Sequence, residues 1–334
     1  SASRVDVNDL SDLRKIYTPG VSRVCLAIKD RPELAYQYTG LGNSVGIFTN
    51  GTRVLGLGNI GAVASLPVME GKAVLYDKFA GISATPILID TADPEEFIRT
   101  VQLIAPSFGG IHLEDIQSPD CFYIEDELIR TLKQPVMHDD QHGTAVAALA
   151  AVINACKLVH LPLNQAIVGQ IGLGAAGAAI AKLAMEYGVK QVIVSDPNQA
   201  AVSRLEKQGA KSGSYSDIMK TCDIVIAATG KAGLIKTSDI RKGQILFALS
   251  NPNPEIDIQE AIKAGAAFAA DGRSINNALA FPGLFKGALA AQAKAITPAM
   301  KIAAAIAIAE QTIGSEVVPD PLRPSVHEAV IEAV

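Results

Sequence analysis

The chain has 334 residues, of which 49% are hydrophobic and 19% charged, and its net charge at pH 7 is −5. This length suits two packed domains of ordinary size. The negative balance, without a Lys- or Arg-rich run, argues against a nucleic-acid partner. The longest apolar run, AVAALAAVI (145–153), is about half of a membrane span. Four scattered cysteines without metal-like spacing favour a reduced cytoplasmic protein that contacts no membrane.

Strand and helix patterns alternate through the first half of the chain, which predicts an α/β fold. Short apolar segments predict strands at 44–50, 53–59, 72–78, 84–91 and 109–116. Helical patterns occupy 94–107 and about 143–159. Prolines and polar residues at 158–165 then predict a boundary near residue 160. We therefore expect an N-terminal α/β domain over 1–160.

The second half repeats the alternation with turn residues at the strand ends, which is typical of a doubly wound sheet. The predicted strands are 165–171, 191–198, 222–230, 244–256 and 266–273. An Ala-rich tail predicts closing helices. The expectation for 161–334 is a Rossmann domain that ends in these helices.

Two glycine fingerprints of the form GxGxxG occur, at 56–61 and at 172–177. The second has the expected context: a strand before it, an uninterrupted helix after it, and Asp196 at the end of the next strand. A dinucleotide would place its pyrophosphate at the helix start and its ribose at Asp196. An acid there favours NAD over NADP. The segment after the first copy contains Pro67 and Gly71 and is expected to be too short for a full crossover helix, which predicts a turn or a substrate loop instead of a nucleotide site.

Paired acids follow two apolar strands, in LEDI (113–116) and in MHDDQHGTA (137–145). An acid at a helix start is often only an N-cap, and two histidines four residues apart also imitate a zinc site. However, strand ends that lie side by side would gather three or four carboxylates at one edge of a sheet. Oxygen ligands of this kind suit Mg²⁺ or Mn²⁺. The pattern therefore predicts a divalent-cation site.

Eight segments, in the same order, resemble the small bacterial-type malic enzymes, which oxidatively decarboxylate malate with NAD(P) and a divalent metal. They are YTPGV (17–21), NGTRVLGLGNIG (50–61), LPVMEGKAVLY (66–76), FGGIHLEDI (108–116), MHDDQHGTA, GLGAAG (172–177), SNPNPEI (250–256) and NNALAFPGLFKGAL (276–289). The resemblance covers nearly the whole chain. It departs at Asn50 and Asn59, where the family commonly has aspartates.

The resemblance implies that the domain over 1–160 binds substrate and metal, and it implies a role for each matching residue. Lys72 and Tyr17 would carry the proton transfers, and Asp139 would orient Lys72 or bond to the metal site. The implied metal ligands are Glu114, Asp115 and Asp140. The implied substrate contacts are Arg53, Asn251, Asn276 and Asn277. The expected cofactor contacts are Gly172, Gly174, Ala175, Ala176, Gly177, Asp196, Thr229 and Asn251.

Two other functions remain open on sequence grounds. Malolactic enzymes and oxaloacetate decarboxylases have similar sequences but cause no net redox change, and Asn50 and Asn59 keep that possibility in view. A non-catalytic nucleotide-binding protein would not need Lys72 or Tyr17. Malate or oxaloacetate is the expected substrate in either enzyme, and the family implies a homodimer or a higher homo-oligomer.

Overall fold

A computed structural model describes residues 6–54, 56–273, 275–314 and 316–334. The helices are α1 Leu10–Ile16, α2 Val21–Asp30, α3 Ala35–Tyr38, α4 Ala62–Ala80, α5 Pro94–Ile104, α6 Asp120–Thr131, α7 Asp139–Leu158, α8 Ala175–Tyr187, α9 Gln199–Glu206, α10 Tyr215–Thr221, α11 Ile258–Lys263, α12 Phe281–Ala290, α13 Pro298–Glu310 and α14 Pro324–Ala333. The strands are β1 Ser44–Thr49, β2 Ser83–Leu88, β3 Gly110–Leu113, β4 Val136–His138, β5 Ile167–Ile171, β6 Gln191–Ser195, β7 Lys211–Ser212, β8 Ile224–Ala227, β9 Ile245–Ala248 and β10 Phe268–Asp271. None of the described helices has the length and apolar character that a membrane crossing requires.

The first sheet contains four parallel strands in the order β2-β1-β3-β4. Its central strands β1 and β3 are buried almost throughout, as is usual for parallel sheets. Strands β3 and β4 are neighbours, and Leu113 pairs with His138 at their ends. The carboxyl ends of these two strands therefore lie side by side, as the sequence predicts.

The second sheet contains six parallel strands in the order β10-β9-β8-β5-β6-β7. Read from β7, and counted along this half of the chain, the order is 3-2-1-4-5-6, which is the dinucleotide-binding arrangement. The order reverses between β5 and β8, and ligands of such sheets bind beyond the strand ends at that point. The predicted doubly wound fold is confirmed.

The structure corrects two of the predicted strands. In the predicted strand 53–59, Val54 and Gly58 form an isolated antiparallel bridge, and the described residues of this segment belong to neither sheet. Residues 72–78 lie inside α4, a helix of 19 residues that continues through Pro67. The segment after the first glycine fingerprint is therefore a full crossover helix, and the expectation that it was too short was wrong.

The closing helices do more than cover the second sheet. Helices α12 and α14 pack against α4 of the first half, and α13 packs against α7. The largest apolar core accordingly joins Val45 and Tyr76 with Ile180 and Phe281, which come from both halves. The division at residue 160 stays a prediction.

Candidate active site

The acids that follow β3 and β4 converge at one point. Glu114, Asp115 and Asp140 each offer a carboxylate oxygen, and the three oxygens lie within 4.8 Å of one another. The Asp115 backbone N–H donates to Oδ2 of Asp140 at 2.9 Å, which ties the two strand ends together. Asp115 has a φ of 53°, an uncommon conformation for a residue other than glycine. The predicted clustering of these acids is therefore present.

Lys72 reaches this cluster from α4. Its Nζ lies 3.2 Å from Oε1 of Glu114 and donates a hydrogen bond to Oδ2 of Asp139. The side chain is 8% exposed and also lies over the ring of Phe281, 4.5 Å from its centroid. A buried lysine between two acids is unusual, because burial of an ammonium is costly unless it is paired.

Two further side chains extend the hydrogen-bonded network away from Lys72. Nε2 of His112 lies 2.5 Å from Oε2 of Glu114, and the Tyr76 hydroxyl lies 2.8 Å from Nδ1 of the same ring. Burial lowers the pKa of His112 to about 4, so the imidazole is neutral. A neutral ring satisfies both contacts if Nε2 donates to Glu114 and Nδ1 accepts from Tyr76.

Among the described residues, the buried acids outnumber the ammonium of Lys72 that faces them. Burial lowers the pKa of Lys72, but the charges of Asp139 and Glu114 outweigh burial and hold that pKa above its usual value. Burial raises the pKa of Glu114 to about 8 and that of Asp139 to about 6. The site is therefore short of positive charge.

The residues present fit a hard divalent cation. The donor set is three carboxylates, which suits Mg²⁺ or Mn²⁺ and has no thiolate that would favour zinc. Oδ1 of Asp139 is buried in the same place without a hydrogen-bond partner. A cation that neutralises the cluster would explain both why three carboxylates lie together and why Oδ1 of Asp139 has no hydrogen-bond partner.

Helix α7 presents Asp139 and Asp140 in its first turn, and neither residue is the N-cap, which is His138. Beneath this turn, the buried Glu125 of α6 accepts from the His138 backbone N–H at 2.7 Å, and it contacts Nε2 of Gln141 and Nε2 of His142 at 2.9 Å each. Glu125 thus supports the helix start through the His142 ring and through the backbone of His138, and the candidate metal-binding groups among the described residues include neither histidine.

Gly143 makes room for Asp139. A Cβ added at this glycine would lie 1.8 Å from Oδ1 of Asp139 and 3.2 Å from Cβ of Asn277. The Asp139 carboxylate therefore folds back over its own helix, where only a glycine leaves space. The same contact places Asn277 beside the acids.

The other predicted substrate residues are divided. The Arg53 backbone N–H donates to the Asp115 carbonyl at 3.0 Å, and its side chain is exposed. Asn276 uses its side-chain oxygen to accept from the Ala278 N–H at 2.9 Å, so it caps the short 3-10 turn at 277–279. Asn251 is exposed at the end of β9, and a Cβ on Gly56 would lie 3.8 Å from its carbonyl. Arg53, Asn277 and Asn251 thus border the space next to the acid cluster, which is called the cleft from here on. Asn276 instead serves the local turn.

The two departures from the family pattern serve local turns. The Asn50 side-chain oxygen accepts from the Thr52 hydroxyl at 2.7 Å, and that of Asn59 accepts from the Gly61 N–H at 3.2 Å. These contacts are compatible with an intact site.

The second glycine turn has the geometry of a dinucleotide cradle. Gly172 has a φ of 86°, and a Cβ on Gly177 would lie 2.0 Å from the Gly172 carbonyl, so helix α8 approaches the strand closely. Gly174 is the N-cap residue of α8, and no side-chain capping bond is made at this helix start. A Cβ added at Gly174 would meet nothing within 4 Å. The first N–H groups of α8, at Ala175 and Ala176, therefore face open space where a pyrophosphate fits.

Asp196 and Thr229 follow β6 and β8, the strands on either side of β5, so they flank this turn. Oδ2 of Asp196 accepts from the Leu173 N–H at 2.7 Å, and Oδ1 accepts from the Asn198 N–H at 2.7 Å. Thr229 bonds to the buried Glu255. Asp196 is thus fixed against the glycine turn, where an adenosine ribose binds in this fold.

Tyr17 does not reach the cluster within this chain. It follows α1, is 67% exposed, and no described hydrogen bond connects its hydroxyl with Lys72 or the acids. Helices α1 and α2 have no buried residue.

Sequence reasoning missed His112, Gly143 and Glu255. His112 lies two residues before Glu114 on a strand, where alternation puts both side chains on one face. That spacing was a usable signal. Glu255 and Gly143 owe their roles to contacts made only in the folded chain.

An all-parallel sheet in dinucleotide-binding order, beside a buried lysine and a carboxylate cluster, defines a nucleotide-dependent dehydrogenase with a second, catalytic domain. Residues 4–129 match the malic enzyme N-terminal domain and 232–332 match the malic enzyme NAD binding domain. Residues 137–233 match the NAD binding domain of D-isomer specific 2-hydroxyacid dehydrogenases.

Individual relatives agree with these matches. NAD-dependent malic enzyme 1 of Bacillus subtilis (strain 168) is 56% identical over 99% of this chain and 76% of the relative. The bifunctional malic/malolactic enzyme of the same organism is 42% identical over 100% of this chain and 88% of the relative. The crystal structure of malic enzyme from Pyrococcus horikoshii Ot3 superposes with a TM-score of 0.91, at 40% identity, over 99% of this chain and 85% of that one. The chain belongs to the malic enzyme family.

Proposed function

We propose that this protein oxidises malate with NAD and decarboxylates the product, releasing pyruvate and CO₂, with Mg²⁺ or Mn²⁺ as a second cofactor. The observation that carries the proposal is the placement of Lys72 within 3.2 Å of Glu114, a member of the carboxylate cluster, in a chain that also has a dinucleotide-binding sheet. The Bacillus subtilis relative named NAD-dependent malic enzyme 1 supports the same activity and the same cofactor.

Lys72 is the proposed base for the malate hydroxyl. Its amine must be neutral to accept a proton, and the acids around it oppose that state. When a bound cation neutralises the acids, burial remains as the main influence on the amine, and burial lowers the pKa of a lysine. Asp139 holds the amine in place through their hydrogen bond.

Glu114, Asp115 and Asp140 are the proposed holders of the cation. A bound divalent ion would polarise the carbonyl of the keto acid and stabilise the negative charge left when CO₂ departs. The protein contributes the fixed geometry of the three carboxylates, because two paired strand ends and the Asp115–Asp140 hydrogen bond determine their positions.

Tyr17 is the proposed acid that protonates the enol carbon, and its exposure requires an explanation. Helices α1 and α2 carry exposed apolar residues, among them Leu10 and Leu26, and short helices of this kind are not stable without a packing surface. We therefore propose a homodimer in which these helices pack on a second copy and supply Tyr17 to its site. Mixing an inactive Tyr17→Phe protein with an inactive Lys72→Met protein tests this. Shared sites regain up to about a quarter of the activity by random pairing, whereas sites within one chain regain none.

The proposal includes the compartment and the nucleotide. The four cysteines are free, which suits the reducing cytoplasm. Asp196 favours NAD because its charge would repel the 2′-phosphate of NADP.

A redox-neutral reaction is the second candidate, because one relative is named a bifunctional malic/malolactic enzyme. Absorbance at 340 nm distinguishes the two. With malate, NAD and Mn²⁺, the proposed function forms NADH and pyruvate in equal amounts, and EDTA abolishes both. Formation of lactate without NADH would contradict the proposal and establish the malolactic reaction.

A further inference from the structure

A buried carboxylate joins the two loops that border the second half of the cleft. Glu255 is 0% exposed and follows the SNPNP segment after β9. The first loop, 228–231, leaves the carboxyl end of β8, and the second loop, 249–252, leaves that of β9. Adjacent strands β8 and β9 place both loops at the sheet edge where dinucleotides bind.

Glu255 accepts four hydrogen bonds from these loops. Its Oε1 accepts from the Thr229 N–H at 2.7 Å, the Thr229 hydroxyl at 2.8 Å and the Ser250 hydroxyl at 2.5 Å. Its Oε2 accepts from the Ser250 N–H at 3.2 Å. Each loop thus gives one backbone and one hydroxyl donor to a single side chain.

The bonds continue into a closed network. The Ser250 hydroxyl accepts from the Gly230 N–H at 2.7 Å, so the two loops are also joined directly. The Glu255 backbone carbonyl accepts from the Ile235 N–H at 3.0 Å, which fixes the segment beyond the first loop. Asn251, the next residue after Ser250, is thereby held in one position relative to Thr229.

A carboxylate is suited to this position for a chemical reason. It has only acceptor sites, and all four groups aimed at it are donors. A glutamine would turn its NH₂ group toward at least one of these donors, and a buried donor facing another donor is costly. The stability gained from a buried charge is generally small, so the network is better explained by the geometry that it imposes on the loops.

We propose that Glu255 is a positioning residue for hydride transfer. By joining loops 228–231 and 249–252, it fixes Thr229 and Asn251 around the nicotinamide half of NAD, so that malate and the nicotinamide meet in reactive geometry. This inference rests on the proposed function, because it concerns the cofactor site of the same reaction.

The first test needs no catalysis. Hydrogen–deuterium exchange is measured on the protein without NAD, for wild type, Glu255→Gln and the control Glu260→Gln, which changes an exposed acid five residues further on. In Glu255→Gln we expect amides of 228–231 and 249–252 to exchange about tenfold faster or more. Peptides covering 110–116 and 137–143 should be unchanged. Equal exchange at both loops in all three proteins would overturn the proposal.

The second test separates positioning from a loss of stability. With saturating malate, NAD and Mn²⁺, Glu255→Gln should lower kcat about 10- to 100-fold, and the isotope effect from malate deuterated at C2 should increase because hydride transfer becomes slower. The affinity for Mn²⁺ alone should not change, since its proposed ligands follow strands of the other sheet. A lower kcat with an unchanged or smaller isotope effect would contradict positioning.

A milder variant covers the case in which Glu255→Gln does not fold. Ser250→Ala removes two bonds of the network and keeps the charge, and it should show the same changes to a smaller extent. Unchanged exchange and isotope effect in folded Ser250→Ala would overturn the proposal. If wild type itself forms no NADH from malate, the proposed function fails, whereas the exchange result still decides whether Glu255 holds the loops.

Discussion

The two glycine turns have the same sequence pattern but different structures. The turn at 172–177 brings α8 so close to its strand that a Cβ on Gly177 would lie 2.0 Å from the Gly172 carbonyl. At 56–61, by contrast, a Cβ on Gly56 would make only ordinary contacts, with Pro252 and Asn251 across the cleft. Both turns precede a helix whose N-cap glycine makes no side-chain capping bond, yet α8 follows β5 of the dinucleotide-binding sheet, whereas α4 carries Lys72 to the acids. The pattern specifies a tight turn, and the residues around it decide the function.

The largest expected effect tests whether Lys72, on the helix after the first glycine turn, performs the chemistry. Lys72→Met should lower kcat by about 10² to 10⁴, because general acid–base groups contribute effects of this size. The Kd of NAD, measured by fluorescence titration, should stay within about twofold. Lys78→Met, on the exposed part of the same helix, is the control and should retain full activity. A large loss of NAD affinity in Lys72→Met would mean that the two regions are not separable.

The next prediction compares the two turns directly. Gly177→Ala must push α8 away from its strand, since overpacking by one methyl costs about 1–3 kcal/mol, and the Kd of NAD should rise about tenfold or more. Gly56→Ala, at an ordinary backbone conformation, should change that Kd less than about twofold. Calorimetric titration of both variants with NAD provides the measurement. Equal effects would remove the distinction between the turns.

Asp196 sharpens the assignment of the second turn. Asp196→Asn removes the charge near the expected ribose, and the preference for NAD over NADP should fall about tenfold, since hydrogen bonds to charged groups contribute about 1.5–3 kcal/mol. The measurement is kcat/KM with each nucleotide. Glu206→Gln changes an exposed acid on α9 and should leave the preference unaltered. An unchanged preference in Asp196→Asn would place the ribose elsewhere.

The smallest predicted effect concerns how the start of α7 is supported. Glu125 lies under the start of α7; burial alone would raise its pKa, but His142 and its hydrogen bond hold that pKa down at about 2. A lowered pKa stabilises the fold above the ordinary value near 4.5, and this contribution is lost as pH falls toward 2. The difference in unfolding free energy between wild type and Glu125→Gln should therefore be about 1–3 kcal/mol at pH 6 and decrease below pH 4. Urea unfolding at several pH values measures it, and a pH-independent difference would be the contrary result.

The sequence predicted the sheets and most of the candidate site, but it missed helix α4. The acids at the ends of two strands predicted the site correctly because parallel strands end at the same edge of a sheet. The acids of LEDI and HDD therefore lie close together, as expected. Segment 72–78 was predicted as a strand because it is short and apolar, and its valine and tyrosine favour strands. The buried residues of α4 have the spacing of a helix once Lys72 is included among them. They include Met69, Lys72, Tyr76 and Ala80.

Contacts between distant segments could not be predicted in the same way. No local pattern indicates that Glu255 collects donors from two loops, or that Gly143 leaves space for Asp139. The exposure of Tyr17 is also invisible in YTPGV, because a motif gives a residue type without a position in space. The residue types of the site could thus be predicted from local motifs, whereas contacts between distant segments could be found only in the folded structure.

The central claim is that carboxylates from two strand ends hold a divalent cation beside Lys72. Anomalous diffraction from crystals grown with Mn²⁺ tests it most directly. The account predicts one strong anomalous peak per chain, about 2.0–2.4 Å from oxygens of Glu114, Asp115 and Asp140, and no peak there in Asp140→Asn crystals. A strong peak at another location, or full occupancy in Asp140→Asn, would contradict it.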